Sequence, residues 1–504
     1  HSINEFDVTI ENWFWIKVND YWGLGTIGDG KGSVIDEAPT PSTLNAVVYE
    51  NGSFNFSWTQ NTDSDFHSYI LYESSSSDMT NAVIEISTTN VVDLRMSKAV
   101  DANMIKYYQL ATRDTWGSMS YSNIKEGNSY TRLIKTHVYS SKWDNNGNHI
   151  NKTDDGGYII VGSTDDKDSH TDDIWLIKTD SKGTLEWQQI YSSGNIDIGH
   201  YVEQTDDGGY IITGLYADSD LWLIKTLPTG NDVWKKLYFS SGGGRDEGFG
   251  VQQTTDGGYI ATGYLHTDGS SNDVFLVKTQ SNGEEDWRAN FGDSQDDKGN
   301  SVKEILDQGQ STGKYIIAGY ISDGGDQDVW LLKIDPSISG YIEWDKKFGG
   351  SNPDIGKSLI IASDGGYVIA GITYSPGSGA DTWLIKTDSD GNLQWDATCC
   401  DEDLASSQKA YQVIETTDGG YVIVGSTSSA GNNMSVLLVK YDSSGNELWE
   451  RNILGGDNDQ YAVGRSLQQA ADGGFVITGY AMDSNASSSL LFIKTDPNGR
   501  VIIE

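Results

Sequence analysis

A short hairpin word returns along the chain at a nearly fixed interval. It reads DGGYIIVG from Asp155, DGGYIITG from Asp207, DGGYIATG from Asp256, DGGYVIAG from Asp364, DGGYVIVG from Asp418 and DGGFVITG from Asp472. A degenerate copy, TGKYIIAG, puts Thr312 in the Asp slot. The steps are 52, 49, 56, 52, 54 and 54 residues, a period of about 53. A period of this size marks a supersecondary unit that buries its faces only against its neighbours, so the fold is a solenoid or a ring.

Each unit holds four strand-like pieces. One precedes the DGG turn, as in HYVEQT from His200, and one follows it, as in YIITG from Tyr210. The third is WLIKT from Trp175 and its kin, and the fourth starts near Trp187, Trp234, Trp287, Trp344, Trp395 and Trp449. Four strands per unit make the blade of a β-propeller. Gly-Gly suits the tight first turn. The apolar run after it suits a strand covered on both faces. A second turn, DSDG from Asp388 or DPNG from Asp496, joins an Asp cap to a Gly with positive φ. Tyr139 and Tyr191 each stand 16 residues before a DGG Asp. The chain should therefore enter the ring on an outer strand, with residues 130–139 closing the last blade.

The N-terminal part reads differently. WFWIKVNDYWG (Trp13 to Gly23) echoes YYQLATRDTWG (Tyr107 to Gly117) position for position. Around the second copy lie APTPS, SFNFSWTQ with Trp58, and HSYILYES with Tyr69. Short alternating strands around a buried Trp suggest a β-sandwich, and this segment resembles a fibronectin type III domain. The expected fold is all-β: residues 1–36 as the last strands of a preceding fibronectin type III-like domain, 37–128 as a β-sandwich, and 129–504 as a seven-bladed β-propeller. His1 opens directly onto strand-like sequence, as a piece of a longer chain would. The repeat region is similar to kelch-like propellers and to the DGGY-repeat propellers of bacterial and archaeal surface proteins. That resemblance implies a secreted or cell-surface setting.

The formal charge of −39 repels phosphate backbones and anionic lipid, which speaks against nucleic acid and membrane surfaces as partners. Cations, neutral glycans, neighbouring surface proteins and basic partners stay open. Cys399 and Cys400 give no disulfide framework. None of the seven histidines lies beyond His266, so the later units supply no His base or metal ligand. No nucleophile arrangement stands out, and the chain reads as non-catalytic, with no cofactor. Lysine recurs once per unit at Lys178, Lys225, Lys278, Lys333, Lys386, Lys440 and Lys494. It is either a ring of cations or a buried stem whose ammonium meets a turn carboxylate.

Because strand direction alternates, the uniform DGG and Asp-x-x-Gly turns share one end. The variable loops share the other, where ligands are usually met. At that end the interblade loops carry Asp144, Asp197, Asp246, Asp297, Asp354 and Asp459. They are the candidate ligand-binding residues, suited either to Ca²⁺ or a basic partner or to turn capping. The expected function is a non-catalytic extracellular platform for adhesion, assembly or matrix contact. The alternative is a carbohydrate-binding or polysaccharide-degrading secreted protein.

Overall fold

The computed structural model describes residues 39–128 and 145–501 apart from short loop stretches, and the backbone of four three-residue strands between Asn12 and Ser33. All the elements described are strands. The chain divides into two compact units, His1–Thr131 and Arg132–Glu504.

In the first unit, a three-stranded sheet (Val48–Glu50, Ser53–Ser57, Arg95–Ala99) shares a core with a five-stranded sheet that includes Phe66–Ser74 and Ile105–Asp114. Phe54, Phe56 and Trp58 pack with Tyr69, Leu71, Tyr108 and Leu110. The alternating pattern places these rings on inner faces, as in a two-sheet sandwich. Asp114 accepts the amides of Gly117 (2.7 Å) and Ser118 (2.9 Å), which fixes a turn at the end of its strand. Upstream, Asn12–Phe14 pairs with Lys31–Ser33, and Lys17–Asn19 with Gly25–Ile27.

The second unit consists of seven antiparallel sheets in chain order. Six have four strands. The seventh has three among the described residues and joins the sixth through one parallel bridge, Met434 to Tyr461. The first blade packs on the seventh. The Ile150 amide donates to Ser466 Oγ (3.1 Å), and Ile150, Ile160 and Trp175 share a core with Val476, Leu490 and Phe492. The sheets therefore form a ring, a seven-bladed β-propeller. The expected closing strand at 130–139 lies outside the described residues.

Cores lie between blades. Val274 and Leu276 of the third blade pack with Val302, Ile317 and Leu332 of the fourth. Second and third strands are covered on both sides, which accounts for their near-continuous apolar sequence. The two glycines of each DGG turn do different work. Gly156 takes φ +83°, while a Cβ on Gly157 would lie 2.1 Å from the Thr179 carbonyl oxygen and 2.7 Å from Lys178 Nζ. That ammonium is the recurrent lysine. Six of the seven reach the DGG carboxylate of their own blade, from Lys440–Asp418 at 2.6 Å to Lys494–Asp472 at 3.0 Å. Five of the seven are thus buried stems with capped heads, and Lys333 and Lys494 are partly exposed.

Blade 4 departs from the pattern. Its first hairpin extends through Asp307 and Gln310, so Thr312 falls inside the extension. With no Asp in the slot, Lys333 turns to Glu343 at 3.4 Å. In the other turn, Asp180 accepts the amides of Lys182 and Thr184 at 2.9 and 2.8 Å. The turn glycine also seats the neighbouring blade's tryptophan. A Cβ on Gly230 would meet Trp187 at 2.5 Å, and one on Gly445 would meet Trp395 at 2.6 Å.

Candidate functional site

The closing glycine of each second strand leads to the centre of the ring. A Cβ on Gly162 would stand 1.8 Å from the Asn146 carbonyl oxygen, and one on Gly263 1.8 Å from that of Glu247. Crowding thus comes from the inner strand of the same blade. The cause is a β-bulge. In every blade the register of inner against second strand slips by one residue after Gly147, Gly199, Gly248, Gly299, Gly356, Ala410 and Gly464. The extra residues are Asn148, His200, Phe249, Asn300, Lys357, Tyr411 and Arg465.

All seven line one cavity of about 530 Å³. Bulges commonly re-aim a side chain beside a site. Here they do so once per blade, with a different residue type at almost every position on a constant frame. The inner strands run from the variable-loop side toward the DGG turns, so the cavity opens at the end expected to carry function. Ser301, Ser358, His149 and Tyr201 line it one residue further along those strands. Below it, side chains meet across the axis. The His149 ring stacks on Tyr201 at 3.8 Å. Lys303 donates to Tyr201 Oη at 3.2 Å, and Gln412 Nε2 lies 3.3 Å from His149 Nε2. Blades 1, 2, 4 and 6 thereby form a floor. Burial, helped by the Lys303 charge, drives the His149 pKa down to about 3, so its imidazole is neutral.

The wall is charged unevenly. Lys298 Nζ lies 4.2 Å from the Tyr264 ring centre, and the Arg465 guanidinium 4.8 Å from that of Tyr411. Burial lowers the Lys357 pKa to about 8, with the charges of Lys298, Arg465 and Lys409 adding to it. Glu247 is held by His200 (2.5 Å), Tyr264 Oη (2.9 Å) and Arg245 (3.5 Å). Burial works against its charge, but these partners keep its pKa at about 2.

Lys357 should therefore be the most reactive lysine toward an acylating reagent at pH 8. About half of it is unprotonated there, against under ~1% of an ordinary lysine. Mass spectrometry after brief acetylation should find Lys357 modified ahead of Lys182. Equal rates would show that its ammonium is not destabilised.

The expected aspartates sit elsewhere. Asp197, Asp246, Asp297 and Asp354 are 0–1% exposed, and none lines the cavity. They hold loops. Asp197 accepts the Ser193 and Ala217 amides (2.5 and 2.8 Å), Asp246 the His266 amide (2.7 Å), Asp297 those of Asp293 and Ser322 (2.9 and 2.7 Å), and Asp354 that of Gly350 (2.8 Å). Burial raises the Asp297 pKa to about 6, against those amides and with Asp293 and Asp273 adding to it. In blade 1 the equivalent slot is Asn145, which accepts from Thr164 Oγ1 at 2.6 Å. Asp144 and Asp459 lie outside the described residues. Among the described residues no group of three or more His, Cys, Asp or Glu side chains is placed to hold a metal. Cys399 is a buried free thiol, and Cys400 lies outside the described residues.

The sequence matches no family model and no curated protein. Among solved structures, the chain is similar to the BP39L lectin from Burkholderia pseudomallei (8% identity, 72% of this chain and 98% of that one, TM-score 0.44). It is also similar to the Neurospora crassa Pan2 WD40 domain (12%, 72% and 92%, TM-score 0.43). A third is the β-propeller domain of the Trilobed protease from Pyrococcus furiosus (10%, 73% and 97%, TM-score 0.40).

Proposed function

We propose that this protein is a non-catalytic binding module displayed outside the cell, with the axial cavity as its ligand site. One observation carries the reading: the residue re-aimed by the bulge of every inner strand lines the same cavity. Such variety on a repeated frame is what ligand recognition asks of a scaffold. The first unit acts as a spacer of the fibronectin type III kind, and the plain end of the propeller, of the kelch-like DGGY type, as its structural base. The ligand class is glycan rather than a flat protein surface. The cavity is concave, and it mixes rings (Phe249, Tyr411) with amides and hydroxyls (Asn148, Asn300, Ser301).

A glycan array probed with the intact chain and with a His200→Ala/Tyr411→Ala variant of unchanged melting temperature tests this. The expected result is retention of at least one glycan class by the parent, loss of about tenfold or more in the variant, and no shortening of the bound glycan. Equal retention by both proteins would move the site out of the cavity. Released sugar would make the protein an enzyme.

A further inference from the structure

The cavity has the opposite sign to the molecule that contains it. The chain holds 73 acidic and 34 basic residues, yet Lys298, Lys357 and Arg465 line the cavity. Lys409 stands close enough for its charge to act on Lys357. These four cations come from the inner strands of blades 4, 5, 6 and 7, at the bulge or two residues before it. Among the described residues neither Lys357 nor Lys409 forms an ion pair, whereas the recurrent third-strand lysines each have a carboxylate. The carboxylate among the lining residues is Asp172, on the third strand of blade 1. Gathering like charges in a concave space costs free energy unless an anion joins them.

Apart from Asp172, and from His200 where it meets Glu247, the remaining lining is uncharged and rich in hydrogen-bonding groups. Asn148 gives its amide N–H to the Gly199 carbonyl (2.9 Å), and Asn300 gives its own to Gly356 (2.6 Å). With its N–H engaged, each carboxamide keeps its oxygen as an acceptor, which suits hydroxyl donors. Ser301 and Ser358 add hydroxyls, and Phe249 and Tyr411 add rings. A ligand that satisfies both halves carries one compact anionic group and several hydroxyls on a small ring.

We propose that the cavity binds a single acidic sugar residue, carboxylated or sulfated. Its anionic group lies among Lys298, Lys357 and Arg465, with Lys409 adding charge, and its hydroxyls meet Asn148, Asn300 and Ser301. This rests on the reading of the cavity as the ligand site. A long polyanion does not fit the same logic, because its flanking charges would lie against an acidic surface. The end of an acidic glycan, or the free sugar acid, places one charge inside and none outside.

Calorimetric titration of the intact chain tests the proposal with D-galacturonate, galactose 6-sulfate, galactose, acetate and inorganic sulfate as separate probes. Binding of galacturonate or the sulfated sugar is expected, at least about tenfold tighter than galactose, acetate or sulfate. The carboxylated and sulfated arms tell the two sources apart. Lys357→Gln/Arg465→Gln should weaken that binding about tenfold or more. On the unaltered protein, the bound sugar acid should slow acetylation of Lys357, a readout that needs no variant. Equal binding of galactose, or of acetate and sulfate, would overturn the proposal, as would undiminished binding in the double variant. If no acidic probe binds but a neutral glycan is retained and then lost in the His200/Tyr411 variant, the acidic ligand is wrong and the cavity reading stands. If neither binds, both fall.

Discussion

Gly263→Ala is expected to cost about 3 kcal/mol or more and to lower the melting temperature of the propeller sharply, because the added methyl meets only backbone. It would lie 1.8 Å from the Glu247 carbonyl oxygen, 2.8 Å from its carbon and 2.9 Å from the Gly248 Cα. No flexible side-chain end is available to yield. Relief requires the inner strand to move, and that strand carries Phe249 at its bulge. Gly257→Ala is the control. Gly257 has φ +81° and nothing within 4 Å of where a methyl would stand, so only the left-handed backbone is penalised, by about 1–2 kcal/mol. Denaturant unfolding of the two variants side by side measures the difference. A Gly263→Ala protein as stable as the control would mean that the bulge is not fixed by the fold.

Acid should destabilise the ring through His149 before it reaches the carboxylates. In the folded protein burial, with Lys303 second, holds this imidazole at a pKa of about 3, while an unfolded histidine titrates near ~6.5. A depressed histidine pKa means that only the unfolded state gains the proton as pH falls below 6.5. Stability is therefore lost from about 6.5 down to 3, by roughly 5 kcal/mol in all. Asp297 and Glu203 act in the opposite sense, since burial raises both carboxyls. The informative quantity is thus the difference between the parent and His149→Gln. Between pH 7 and 4 the variant should lose less stability than the parent, by a few kcal/mol at most. Urea melts over that range read it directly, and parallel curves would show that His149 is protonated in the folded state. Below pH 4 a second loss follows. Asp155, Asp207 and Asp418 are held near a pKa of about 2 by their lysine, threonine and amide partners against the cost of burial. Their contribution is present above the ordinary aspartate pKa and disappears as pH falls toward 2.

The seven-bladed ring was legible in the sequence because each unit repeats its turn chemistry. DGG, the Lys of the third strand and Asp-x-x-Gly each answer to one local constraint, and the constraints recur. The neighbour-facing role of the turn glycine was not legible, since Trp187 lies in a different unit from Gly230 and only the ring brings them together. The aspartates before each inner strand were visible, but their burial was not, because loop wrapping rather than spacing decides it. The cavity residues were missed for another reason. Period-two alternation has no place for an extra residue, so Asn148 or Lys357 reads as one more strand position. A signal was nonetheless present: Gly147, Gly199, Gly248, Gly356 and Gly464 stand eight residues before a DGG Asp, each followed by a variable residue.

The basic hollow inside an acidic body also governs how fast an anion can arrive. At low ionic strength the formal −39 pushes the incoming ion away over a range of about 30 Å at 0.01 M salt, shrinking to about 8 Å at 0.15 M. The close contacts with Lys357 and Arg465 are screened far less. Adding salt should accordingly speed association, the reverse of the usual electrostatic steering, and shorten the residence time only at higher concentrations.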